Sequence, residues 1–196
     1  RDWCGYGAVI DSFKAKYGLK LNELNPDGGS GDEVEAIKAN KGNMGPQAPD
    51  VIDVGLAFGP SSKKEGLIQP YKVSTWDSIP AQFKDPEGYY ATWRATLSVM
   101  GYNTKLVEAK DAPAGYLDLL DPKWKGKLVK AHPGYSGTSL TGTFAITKLL
   151  GWDYLEKLSK QGVQQLQSTT ASPKSIASGE RAVMVDGNEY NMFIEI

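Results

Sequence analysis

Leu128-Val129-Lys130-Ala131-His132-Pro133-Gly134-Tyr135-Ser136-Gly137-Thr138 is the stretch that decides the fold. Leu128 and Val129 open an apolar run that reads as a buried strand. The small and hydroxylated residues 134–138 then lead into a helix that carries Leu140, Phe144 and Leu149 and stops at Gly151. Working downstream, a second helix is predicted over 152–158 and a strand over 163–167. A small helix opens at Ser172-Pro173, with Ser as N-cap and Pro in the first turn, and closes at Gly179. The last strand covers 182–185. Short apolar strands flanked by helices imply a mostly parallel sheet with covered faces, an α/β fold.

Upstream the same alternation holds. Trp3, Tyr6, Ile10, Phe13 and Tyr17 recur every three or four residues and Gly18 follows, the pattern of an amphipathic helix with a glycine stop. Leu19 and Leu21 suggest a short strand, and 25–29 a turn. Ser30 and Glu33 have the spacing of a capping box, with Val34 and Ile37 on the buried side of the next helix. Residues 40–49 form a Gly-rich loop. Val51, Ile52 and Val54 read as a buried strand ending at Gly55. A short helix over 60–65 stops at Gly66, and 67–90 is irregular and rich in Pro and aromatics. A strand is predicted over 97–102 and a short helix within 112–124, broken at Asp121-Pro122. The most natural boundary lies near 93–97, which gives two α/β lobes, 1–95 and 96–196.

Composition narrows the function. Apolar residues make up 40% of the 196, enough for a real core, and the net charge is −1, which offers no basic face for nucleic acid. No run of about 18 apolar residues occurs, so no segment inserts in a membrane. Cys4 is the only cysteine, so no internal disulfide forms. His132 is the only histidine, which excludes zinc sites built on several His; neither a metal nor a cofactor is expected. There is no Gly-x-Ser-x-Gly elbow, no phosphate-binding loop ending in Gly-Lys-Ser/Thr and no dinucleotide fingerprint. No catalytic residue is assigned.

What remains is a set of groups suited to holding a solute. Ser136-Gly137-Thr138 stands between a strand and a helix. The first helical turn has unpaired N–H groups and the positive dipole end, glycine permits close approach, and two hydroxyls add donors. Such a start holds phosphate, phosphonate or carboxylate, although an ordinary N-cap would look the same. Gly28-Gly29-Ser30-Gly31 repeats the arrangement in the first half, with Gly55 at the end of its neighbouring strand. Ligands of α/β sheets bind beyond the carboxyl ends of strands, where the two helix starts would face each other across a cleft. Asp186, Asn188, Glu189 and Tyr190 follow the last strand and could form a polar wall, or a solvated turn. Trp93, with Trp76, Tyr89 and Tyr90, could stack on a ligand or cover a core.

The order of several segments resembles the iron(III)- and polyamine-type periplasmic solute-binding proteins of ABC importers. Leu117-Asp118-Leu119-Leu120-Asp121-Pro122-Lys123-Trp124-Lys125-Gly126-Lys127 is similar to their "W-x-D-L-x-D-P-x-W-K-G-K". Ser136-Gly137-Thr138 follows it as in the family. Gly179-Glu180, Ala48-Pro49-Asp50-Val51 and Phe13-Lys14-Ala15-Lys16-Tyr17-Gly18 match further family segments. The resemblance implies two α/β lobes joined by a hinge, a small-molecule solute in the cleft, a membrane permease as partner, a periplasmic or extracytoplasmic location and no enzymatic activity. Family members begin with a strand and continue beyond the position of Ile196, so an incomplete binding protein is expected. The iron subgroup carries a Tyr-Tyr pair near 188–191, where this chain has only Tyr190. The resemblance and the Ser/Thr-rich helix start together favour an anion-bearing organic solute. The alternatives are an iron(III) binder, or an enzyme on the same fold using Asp186 and Glu189.

Overall fold

In a computed structural model that describes residues 5–26 and 28–195, the four named strands form one mixed sheet. They are β1 (Gly101–Tyr102), β2 (Leu128–Ala131), β3 (Gln164–Leu166) and β4 (Val183–Met184), in the spatial order β1-β4-β2-β3. β2 pairs in parallel with β3 (Val129 opposite Gln164) and with β4 (Val129 opposite Met184), while β1 runs antiparallel to β4. Seven α-helices are described: α1 (Tyr6–Tyr17), α2 (Ser30–Ala39), α3 (Phe58–Lys64), α4 (Gly137–Leu150), α5 (Trp152–Ser159), α6 (Ala171–Ala177) and α7 (Glu189–Ile194). The chain returns from β2 to its parallel neighbour β3 through α4 and α5, the helical crossover that parallel pairing requires.

All four residues of β2 are buried, as a strand covered on both faces must be. Successive side chains point to opposite faces, so Leu128 joins Leu119, Trp124, Ile146, Tyr154, Leu158 and Val183 on one side. Val129 meets Ile176 and Met184 on the other. Each of these large side chains contributes about 1.5–3 kcal/mol by leaving water.

Several expectations are corrected. The apolar run 51–54 and the pair Leu19 and Leu21 are not strands. A strand needs neighbouring backbone to close its ladder, and around 53–55 side chains of α2 take that place. Asp53 N donates to Glu33 Oε2 (3.1 Å) and Gly55 N to Ser30 Oγ (3.0 Å). Val51 is 89% exposed. For the same reason Ser30 and Glu33 do not form the expected capping box: Gly29 is the N-cap, and its N–H donates to Asp32 Oδ2 (3.0 Å). The strand expected over 97–102 shrinks to β1 plus a single bridge between Ser98 and Asn188. Residues 116–124 make two single-turn 3-10 helices, Tyr116–Leu120 and Pro122–Trp124. α6 starts at Ala171, so Ser172 is buried inside it rather than capping it. Pro173 sits in the first turn, where a missing N–H costs nothing.

Two helices pack otherwise than expected. No described residue of α1 is buried, and Phe13 and Tyr17 pack on each other with ring centroids 4.9 Å apart. Gly18, at φ 63°, ends the helix as expected. In α4 the buried residues are Gly137, Ser139 and Ile146, while Phe144 and Leu149 are exposed. Small residues let the helix start lie close to the sheet, where the Ser139 hydroxyl donates to Ala131 O at 2.6 Å. Trp3, Cys4 and Asp27 lie outside the described residues.

Candidate functional site

The starts of α2 and α4 meet in a joint packed by glycines. A Cβ on Gly55 would stand 2.5 Å from Gly137 Cα, and one on Gly137 would stand 3.0 Å from Ser30 Oγ. A Cβ on Gly29 or Gly31 would fall 2.7 Å from the carbonyl of Tyr135 or Gly134. Any side chain at these positions would hold the segments apart. Hydrogen bonds close the same joint: Gly31 N donates to Tyr135 O (3.3 Å), and Gln167 Nε2 to Asp32 Oδ2 (3.2 Å). The structure therefore brings together Ser30, Gly55, Ser136 and Gly137, which the sequence had placed in separate motifs.

At the α4 start Ser136 is buried and its Oγ accepts from Ser139 N (3.2 Å), a true N-cap. Among the described residues no protein hydrogen bond is made by the N–H groups of Gly137 and Thr138 or by the Thr138 hydroxyl. Thr138 is half-buried. These donors belong to the first turn of a 14-residue helix, at its positive end, an arrangement that can hold an anion.

Below this turn lies a buried ion pair. Asp186 follows β4, is fully buried, and its Oδ2 stands 3.2 Å from Lys130 Nζ on β2 and 3.2 Å from Ser139 Oγ. Lys130 also donates to Thr143 Oγ1 (2.9 Å). Burial pushes the Asp186 carboxyl above its ordinary range, while Lys130 and Ser139 pull it back. Asp186 thus lies beneath the α4 start, with Oδ2 tied to Ser139 and Lys130. Glu189 is likewise committed, its Oε2 accepting from Leu97 N at 2.7 Å. Asn188 is buried, donating to Tyr190 OH (2.8 Å) and to Thr169 Oγ1 (3.3 Å).

Trp93 belongs to a second cluster. It is 58% exposed, its Nε1 donates to Asp53 Oδ1 (3.2 Å), and its ring lies 5.1 Å from that of Tyr6. The Tyr6 hydroxyl donates to the other oxygen of Asp53. The Arg94 guanidinium stands 5.1 Å from the Trp93 ring, 5.2 Å from Tyr190 and 5.7 Å from Tyr6, within cation–π range of all three. Arg94, Tyr6 and Asp53 escaped the sequence reading, because Asp53 stands 47 positions from Tyr6 and 40 from Trp93, and no local pattern marks the cluster. Glu33 was seen only as a cap residue. Burial, with Asp32 beside it, raises its carboxyl to about 7 against the N–H bond from Asp53. Trp76, by contrast, is buried between Lys72 and Lys84, a structural aromatic.

Comparison with known proteins gives a consistent result. The family described as bacterial extracellular solute-binding protein matches residues 47–186. A probable ABC transporter periplasmic-binding protein of Sinorhizobium fredii is 32% identical over 110 residues, 52% of this chain and 31% of that protein. A periplasmic protein of Salmonella typhimurium, provisionally named for 2-aminoethylphosphonate binding, is 30% identical over 181 residues, 89% of this chain and 50% of its own length. Among solved structures, the periplasmic binding protein AfuA of Actinobacillus pleuropneumoniae with exogenous fructose-6-phosphate superposes with a TM-score of 0.78 at 25% identity. The match covers 97% of this chain and 61% of that one. Iron-bound HitA of Pseudomonas aeruginosa superposes at 0.76 with 23% identity over 97% and 61%, a likeness of fold. The chain spans half or less of the curated relatives it matches.

Proposed function

The chain belongs to the bacterial extracellular solute-binding proteins, and from that membership we propose that it captures a small solute for an ABC importer, in the periplasm, and passes it to a membrane permease. The lobes of this reading are residues 1–95 and 96–196, with the solute held between them. The solute is an organic molecule bearing an anionic group, bound at the start of α4. The observation that carries this is the set of donors left open there: the Gly137 and Thr138 N–H groups and the Thr138 hydroxyl. The relative named for a phosphonate and the neighbour solved with a sugar phosphate support it. In this reading Trp93, Asn188 and Tyr190, together with Arg94, meet the rest of the solute. An enzymatic reading draws less support, because Asp186 is buried against Lys130 and Glu189 is tied to the Leu97 N–H.

The test is calorimetric titration with 2-aminoethylphosphonate, fructose-6-phosphate and a ferric complex, on the parent and on Thr138→Val. This change keeps the shape and backbone but removes one hydroxyl. A hydrogen bond to a charged group is worth about 1.5–3 kcal/mol, so affinity for the phosphorus compounds should fall about ten- to hundredfold. Binding of the ferric complex alone, or equal affinity in the variant, would reject the anion site.

A further inference from the structure

The seam that holds the α4 start continues into a cavity of about 510 Å³, walled by Leu56, Pro60, Tyr90, Leu140 and Phe144, with Thr141 and Lys84 among its few polar members. That volume lies within the roughly 300–1,000 Å³ of small-molecule sites. The aromatic wall is fixed in place: a Cβ on Gly59 would stand 2.8 Å from Tyr90 Cγ, so the ring rests against bare backbone. The one lysine is turned to another task, since Lys84 Nζ donates to Trp76 O at 2.7 Å and lies 5.2 Å from the Trp76 ring. The Thr141 hydroxyl is tied to Gly137 O at 3.0 Å. The cavity thus takes apolar matter, and a charge on its occupant must find its counterpart elsewhere.

That counterpart is one helical turn away. Thr141 and Thr138 are three residues apart on α4, about 4.5 Å along the axis and on one face. On the opposite side Leu56 follows Gly55, whose backbone touches Gly137. Donors for an acidic group and a wall for an apolar group therefore adjoin along one seam. Phe144, 64% exposed on a helix that buries other residues, is left as a contact surface. We infer that the solute is an amphipathic anion, with a phosphate, phosphonate or carboxylate head on the α4 start and an aryl or branched alkyl body in the adjoining cavity. The inference rests on the reading of that helix start as the anion site.

Inorganic phosphate, methylphosphonate and phenylphosphonate, titrated calorimetrically into the full 196-residue chain and into Phe144→Ser, test it. Phenylphosphonate should bind at least tenfold more tightly than methylphosphonate. Phe144→Ser should shrink that margin below threefold and leave methylphosphonate within twofold of the parent. Melting curves on the same samples report whether the variant is folded; if it is not, Leu56→Ser on the facing wall takes its place. Equal affinity of the two phosphonates in the parent overturns the apolar body while leaving the anion site standing. A margin that survives both substitutions overturns the cavity as its seat. Silence of all three anions rejects the anion site, and this inference with it.

Discussion

A single carboxyl illustrates how position overrides residue type. Glu33 lies in the first turn of α2, where its charge would ordinarily be welcome, yet burial lifts it to about 7 from an ordinary 4.5. The folded state therefore holds a proton that the unfolded state has released between these values. Its contribution is fully present below about 4.5 and is lost as pH rises through about 7. Glu33→Gln keeps the oxygen that accepts from Asp53 N and removes the charge. Urea midpoints should coincide with the parent at pH 4.5 and lie above it at pH 8; a variant less stable at pH 8 would contradict this assignment. Lys130 and Asp186 pose the opposite case, two buried charges that offset one another. Truncating either leaves the other unpaired, so the pair cannot be read as spare chemistry.

Among elements, the contact that matters most for the site is that of two backbones. The α4 start lies against α2 and the segment at Gly55 because Gly29, Gly31, Gly55 and Gly137 carry no side chains to hold them apart. Gly55 is not among the glycines with positive φ, so alanine there is strained by contact alone. Its Cβ would stand 2.5 Å from Gly137 Cα, and the joint must open by about an ångström or more. Gly55→Ala should cost about 1–3 kcal/mol, the usual cost of overpacking. Gly115→Ala, with no atom within 4 Å of the added Cβ, should stay within about 0.5 kcal/mol. Denaturant midpoints of the two variants, compared with the parent, decide it: similar losses at both positions would mean that the joint is not tight.

For the whole molecule, solute and stability are linked. A ligand that binds only the folded chain stabilises it by RT ln(1 + [L]/Kd), about 2.7 kcal/mol at a hundredfold excess over Kd. A phosphonate or sugar phosphate at that excess should raise the melting temperature by several degrees for a chain of this size. The shift should fall by about half or more with Thr138→Val at the same ligand concentration, because a ten- to hundredfold weaker Kd leaves only about a one- to tenfold excess. A shift of equal size in both proteins would place the ligand away from α4.

What the sequence determined by itself were features written in neighbouring residues. The strand at Leu128, the Ser136 cap, the stops at Gly18 and Gly151 and the α/β alternation all follow from periodicity and backbone preference within a few positions. The Ser136 helix start was legible for the same reason, since cap, glycine and hydroxyl are adjacent. The tertiary structure alone decided whether 51–54 became a strand, because a ladder needs a partner, and here Ser30 and Glu33 supplied the acceptors instead. It also decided that Asp186 is buried against Lys130, and that Arg94 lies among rings contributed by positions 6, 93 and 190. Those outcomes depend on which distant segments share space, and local preference carries no term for that.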